Sequence, residues 1–272
     1  MTTEVALLAA IGLHCRYGDR PVLHDINTTI HASELVGLIG PNGAGKSSLL
    51  KALAGLLAPS KGCVRLHQRE LGQYKKIELA RQLSYLAQGA SVQWPLLAQR
   101  VVELGRLPHT GFGNGFGHDL SPTDRDAVTT AMAQADVTAF AGRTITALSE
   151  GERMRVMIAR MFATQAPLML ADEPMAWLDW YHQHHTLELF QQHCQRGGSA
   201  VVVLHDLNLA ARFCDKLVLL DQGRIVRSGS PQQVLDAEVL RTVYRMELEV
   251  QLLDGVVQVL PRWRHAELPT DC

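Results

Sequence analysis

Four short runs along the chain are apolar at nearly every position: ELVGLIG (34–40), LMLAD (168–172), AVVVLHD (200–206) and KLVLLDQG (216–223). Such runs predict strands buried on both faces of a parallel sheet, because a sheet covered on one side only would alternate. Between them lie stretches with helical patterning: KSSLLKALAGLL (46–57), GERMRVMIARMFAT (151–164) and YHQHHTLELFQQHCQRG (181–197). Strand and helix in alternation predict an α/β layered fold. VALLAAIGL (5–13) reads as the first strand, since only Glu4 is charged before it and a signal peptide requires a basic start. From about Gln88 to Leu148 the alternation stops. This stretch is strand-poor, contains the glycine-rich HTGFGNGFGHDLSPTD (109–124), and predicts a helical insertion. Further on, PQQVLDAEVLRTVYRM (231–246) predicts a helix, and LEVQLLDGVVQVLP (248–261) a hairpin turning at Asp254-Gly255.

Composition narrows the function. Apolar residues make up 47% and charged residues 19%, as in an ordinary globular domain. A formal net charge of −1 supplies no basic field for wrapping nucleic acid. The five cysteines (Cys15, Cys63, Cys194, Cys214, Cys272) are scattered without a CxxC pair, which suits reduced thiols better than a disulfide framework. No run approaches the ~18 apolar residues of a membrane span, so a membrane role would come through a partner.

The chemistry begins at GPNGAGKSS, which follows a predicted strand and opens a predicted helix, the context of a phosphate loop. Gly40, Gly43 and Gly45, with Pro41, Asn42 and Ala44 between them, let successive amides turn inward toward phosphate oxygens. Lys46 would reach the β- and γ-phosphates and Ser47 would ligate Mg²⁺, with Ser48 also among the nucleotide-binding candidates. LMLADEP ends a strand in two acids: Asp172 can hold the magnesium shell and Glu173 orient or deprotonate a water. His205 follows another strand, where it can bond a γ-phosphate or simply cap the strand end. Gln88 after LSYLA reads as a polar strand end, and Tyr17 as either a base-stacking or an edge-packing ring. LSEGERMR (148–155) has Ser149 as a helix N-cap, Gly151 leaving amides open, and Glu152 three residues after the cap. A helix start of this kind suits an anion.

In this order and spacing, the phosphate loop, Gln88, LSEGE, DEP, the Leu178-Asp179 pair and His205 resemble the ATP-binding subunit of ABC transporters. The resemblance covers nearly the whole chain. It implies a phosphate-loop NTPase core, α/β with a mostly parallel sheet, an N-terminal antiparallel β region and an inserted helical subdomain. The corresponding boundaries are 1–88 and 149–245 for the core, 89–148 for the helical part and 246–272 for a hairpin and tail, within one domain. It further implies ATP and Mg²⁺ as cofactors, with Ser47, Gln88 and Asp172 around the metal. Tyr17 would stack on adenine, Gln88 sense γ-phosphate, Glu173 act as base, His205 as switch, and Asp179 as the dimer-loop acid. Two copies would pack head to tail, so that Ser149, Gly151 and Glu152 of one close over ATP on the other's phosphate loop. The remaining partners implied are separate transmembrane permease subunits and, indirectly, an external substrate-binding protein. The location implied is peripheral, on the cytoplasmic face of the inner membrane.

The chain departs from the family pattern at Glu150, where glycine is usual, and at Trp177, where small residues are usual. Glu150 is expected to point away from nucleotide and to tune the site. VVELGRLPH (101–109) resembles the permease-facing stretch of importers for iron–siderophores, haem and vitamin B12, with Trp94, Arg106 and His109 as interface candidates. Other ABC importers and exporters differ mainly in this stretch. His182, His184 and His185 look metal-like, but no acid or cysteine completes a site, and a histidine-rich helix surface is the expectation.

Overall fold

The computed structural model describes residues 6–90, 92–110 and 120–262. Two long strands, β1 (Leu8–Tyr17) and β2 (Arg20–Ile30), lead through β3 (Leu35–Ile39) into helix α1 (Lys46–Leu53). β4 (Lys61–Leu66), β5 (Arg69–Glu70), α2 (Lys76–Gln82) and β6 (Leu83–Leu86) follow. α3 (Ala98–Glu103), α4 (Leu107–Thr110) and α5 (Pro122–Gln134) precede the long α6 (Glu150–Ala163). Strand and helix then alternate as β7 (Leu168–Ala171), α7 (Trp180–Gln195), β8 (Ser199–Val203), α8 (Leu207–Phe213), β9 (Lys216–Asp221) and β10 (Arg224–Gly229). α9 (Pro231–Val234), α10 (Ala237–Tyr244) and the hairpin β11 (Leu248–Leu253) and β12 (Val256–Pro261) come last among the described residues.

β10-β9-β3-β8-β7-β6 form one sheet, parallel throughout except for the antiparallel edge β10. β2-β1-β4-β5 form a second, antiparallel sheet. The continuous apolar runs follow from the layering. Leu35 and Ile39 of β3 face one core, with Ile158 of α6 and Phe190 of α7, whereas Val36 and Leu38 face the other. That second core lies between the two sheets and takes in Leu49, Leu50 and Leu53 of α1 and Leu8 and Leu13 of β1. Both faces of the parallel sheet therefore need apolar side chains.

Several boundaries differ from the sequence expectation. The first strand starts at Leu8 and runs on to Tyr17. α1 stops at Leu53, two residues before Gly55, whose φ of +72° lies outside the helical range. The helix expected over 231–246 is two helices, because Asp236 accepts hydrogen bonds from the amides of Glu238 and Val239 and so caps a new start. The hairpin turns at Asp254-Gly255 as expected, with φ of +49° and +79°. Residues 1–5, Ser91, 111–119 of the glycine-rich stretch, and the tail 263–272 with Cys272 lie outside the described residues. Among those described, no helix is long and apolar enough to cross a membrane.

Arg106 overturns one expectation. It is only 4% exposed, not on a docking surface. Its guanidinium donates to Asp124 at 2.8 Å, to the Ala163 carbonyl at 2.7 Å and to Gln165 at 3.0 Å, tying the start of α5 to the end of α6. Burial opposes charge on Asp124, but the Ser121 hydroxyl and Arg106 together hold its carboxyl below the usual carboxylate range. Removing one partner of a buried pair strands the other charge, so Arg106→Leu should destabilise the chain by about 3–5 kcal/mol in urea unfolding. Arg106→Leu with Asp124→Ala should recover part of that loss. Trp94 and His109 are exposed, and the His109 ring also meets the Thr164 carbonyl at 2.8 Å.

Candidate functional site

β3, β8 and β7 are neighbours in the sheet, so the segments leaving their carboxyl ends converge on one edge. That edge is where open parallel α/β sheets bind ligands. The phosphate loop follows β3, His205 follows β8, and Asp172 and Glu173 follow β7. Gln88 follows the edge strand β6, two residues after Leu86, whose carbonyl accepts from the Asp172 amide at 2.9 Å. The resulting cleft, ≈ 810 Å³, is lined by Asn42 through Ser48 together with Gln88, Glu173 and His205.

The phosphate loop is shaped from within. Lys46 is 6% exposed and its ammonium donates to the carbonyls of Gly40 at 2.7 Å and Pro41 at 3.1 Å, drawing the loop into a ring. Gly45 caps α1 at φ +104°, a conformation costly for any side-chain-bearing residue, and no side-chain hydrogen bond caps the helix. The amides at the start of α1 are thus left for an anion in the cleft. Burial pushes the Lys46 ammonium below the usual lysine range, against the opposing pull of Glu173 and Asp172.

Asp172 is fully buried, and its Oδ1 accepts from the Ser47 hydroxyl at 3.0 Å. Its Oδ2 is buried and has no hydrogen-bond partner among the described residues. Burial pushes its carboxyl above the usual range, with the Ser47 hydroxyl opposing. A buried carboxylate oxygen with a free lone pair, beside a serine hydroxyl, is a donor set that fits Mg²⁺. Glu173 next to it has φ +52°, a strained setting for a residue with a side chain. Its Oε1 lies 2.7 Å from Nε2 of His205.

A second cleft of ≈ 400 Å³ is lined by Ser149, Glu150, Gly151, Glu152, Arg155, Trp177, Leu178, Asp179 and His182. It shares no lining residue with the first. Ser149 and Glu152 form the expected capping box: the Ser149 amide donates to Glu152 at 2.7 Å, and the Glu152 amide to the Ser149 hydroxyl oxygen at 3.2 Å. Gly151 is needed inside the chain, because a Cβ there would meet the Trp177 carbonyl oxygen at 2.8 Å. Asp179 caps α7 by accepting from the His182 amide at 2.9 Å, and that bond holds its carboxyl below the usual range.

The sequence candidates thus fall into two groups. Tyr17 joins neither: it is half-exposed at the end of β1, paired with Arg20, and does not line the cleft. The rim on that side is Arg20, Pro21, Val22 and His24, with Gln222 and Gly223 of the β9–β10 turn. Sequence reading missed these rim residues, since nothing local ties the start of β2 and the β9–β10 turn to a loop elsewhere in the chain. Glu150 is paired with Arg153, which the i,i+3 spacing could have signalled. The imidazoles of His182, His184 and His185 are engaged by Asp179, the Trp180 carbonyl and the Gln134 carbonyl.

Loop, helix start, buried aspartate and adjacent acid define the phosphate-loop class of nucleotide-binding proteins. A family model described as ABC transporter matches residues 23–176. The hemin import ATP-binding protein HmuV of Streptomyces coelicolor is 44% identical over 244 residues, 90% of this chain and 85% of that protein. The dimeric structure of MJ0796, a bacterial ABC transporter cassette, aligns with TM-score 0.73 and 26% identity over 82% of this chain and 98% of that one. A structure described as a metal-chelate type ABC transporter in an inward-facing conformation aligns with TM-score 0.79 over 95% of this chain and 98% of that one. Its 23% identity makes it a likeness of fold. The chain belongs to the ABC transporter family, as an ATPase cassette coupled to transport.

Proposed function

We propose that this chain is the Mg²⁺-dependent ATPase of a hemin importer, working as a head-to-tail homodimer under separate permease subunits on the cytoplasmic face of the inner membrane. An external substrate-binding protein delivers the cargo to the permease. The observation that carries the ATPase reading is the meeting of Lys46, Ser47, Asp172, Glu173, His205 and Gln88 at one sheet edge. The cargo reading rests on the 44% identity to a hemin import ATP-binding protein across 90% of the chain.

In this reading Lys46 and the amides at the start of α1 bind the β- and γ-phosphates. Ser47, Asp172 and Gln88 hold Mg²⁺, which when bound offsets charge on the phosphate oxygens. Glu173 takes the proton of the attacking water, and His205 fixes the Glu173 carboxylate by its 2.7 Å contact. The second cleft serves the other copy: the Ser149 hydroxyl, which accepts within the cap, still has a proton to donate to a phosphate. Asp179 and Trp177 lie beside it in the contact between copies. Tyr17 stacks on adenine from beyond the rim. The insertion 89–148, with exposed Trp94 and His109, is the face toward the permease.

The complex co-purified with its permease and reconstituted in vesicles should take up hemin only with hydrolysable ATP. Uptake of cobalamin or a ferric siderophore in preference to hemin would overturn the cargo assignment.

A further inference from the structure

Two carboxylates stand in the first turn of α6, an odd composition for a helix end that receives phosphate. Each has its own arginine. Glu152, engaged in the cap, lies 3.2 Å from Arg143, and Glu150 lies 2.8 Å from Arg153. Arg153 is anchored beyond that pair, donating from Nε to the Ile145 carbonyl at 3.1 Å and from its second terminal nitrogen to the Thr146 carbonyl at 3.0 Å. The guanidinium is therefore fixed by backbone and can hold the Glu150 side chain in one place. Side-chain exposures of 29% for Arg153 and 58% for Glu150 make this pair a poor source of fold stability.

We propose that Arg153 is a positioning residue for the anion site that α6 presents to a second copy, neutralising Glu150 and turning its carboxylate aside so that a nucleotide phosphate is accepted there. The inference rests on the trans reading under Proposed function. An uncompensated carboxylate at this end would repel the incoming phosphate, and more strongly as closure removes water. Arginine at 153 is thus what makes the acid at 150 tolerable in a working site.

The test uses the full-length chain carrying Glu173→Gln, with dimer formation followed by sedimentation velocity as ATP is titrated. Arg153→Gln should raise the ATP concentration for half-dimerisation roughly tenfold, the scale of one close charge pair. Adding Glu150→Gln should return it to within about threefold of the parent, because the charge that needed compensation is gone. Arg153→Lys, which keeps the charge but not the three-way anchoring, should also stay within about threefold and serves if Arg153→Gln folds poorly. A double variant as impaired as Arg153→Gln, or an Arg153→Lys equally impaired, would overturn the proposal and leave Arg153 as an anchor for 145–146 alone. Dimerisation of Arg153→Gln at the parent's ATP concentration would overturn it as well. A parent that binds ATP yet stays monomeric at saturation would remove the trans reading itself, and this inference with it.

Discussion

Glu173→Gln should bind ATP as the parent does and hydrolyse it at least ~100-fold more slowly, the loss expected when a positioned base is removed. Glutamine keeps the length of the side chain and a carbonyl oxygen for His205, so the contact at 2.7 Å has a neutral substitute. What it lacks is basicity. The fully buried Asp172 beside it remains, so nucleotide and metal binding should survive. ATP-bound dimers should accumulate, because closure no longer ends in hydrolysis. Single-turnover hydrolysis, read beside size-exclusion chromatography with ATP, separates the two effects. Near-normal turnover in the pure variant would take Glu173 out of its role.

Mixing two damaged chains should recreate one working pocket. Lys46→Ala disables the first cleft and Ser149→Arg the second, and the two clefts share no lining residue. Either homodimer has two defective composite sites. In a mixed dimer one composite site combines both defects, while the other unites the intact phosphate loop of one chain with the intact α6 start of its partner. A tagged, purified heterodimer with its permease should therefore trap ADP–vanadate where neither homodimer does. Trapping is the right readout, since cooperation between sites could keep steady-state turnover low with one pocket whole. A verified heterodimer that traps nothing, beside a wild type that traps normally, would count against action in trans.

Much of this site was legible because its residues sit at strand ends. An apolar run followed by Gly40, by Asp172 or by His205 announces a buried parallel strand and the residue that leaves it. The sheet order then does the rest, placing the three together without any long-range information in the sequence. Contacts between distant segments were not legible. Arg106 looks like a surface cation in the sequence because the residue that pairs with it, Asp124, lies beyond a glycine-rich stretch and on another helix. The rim residues Arg20, at the start of β2, and Gln222, in the β9–β10 turn, carry no chemical motif of their own. The pattern over 231–246 predicts one continuous helix because Asp236 fits it locally; Asp236 reveals itself as a cap only through its bonds to the two amides beyond it.

The approach of Gly151 to the Trp177 carbonyl has an evolutionary corollary. A descendant that ceased to hydrolyse ATP would shed Glu173 freely, since its side chain packs in neither core. It could not easily shed Gly151, because any larger residue must displace the loop ahead of α7 before nucleotide is considered at all. Among relatives of this chain, glycine at this position should therefore outlast Glu173. Loss of the acid would mark the silent copies earlier than any change in the helix that faces their partner.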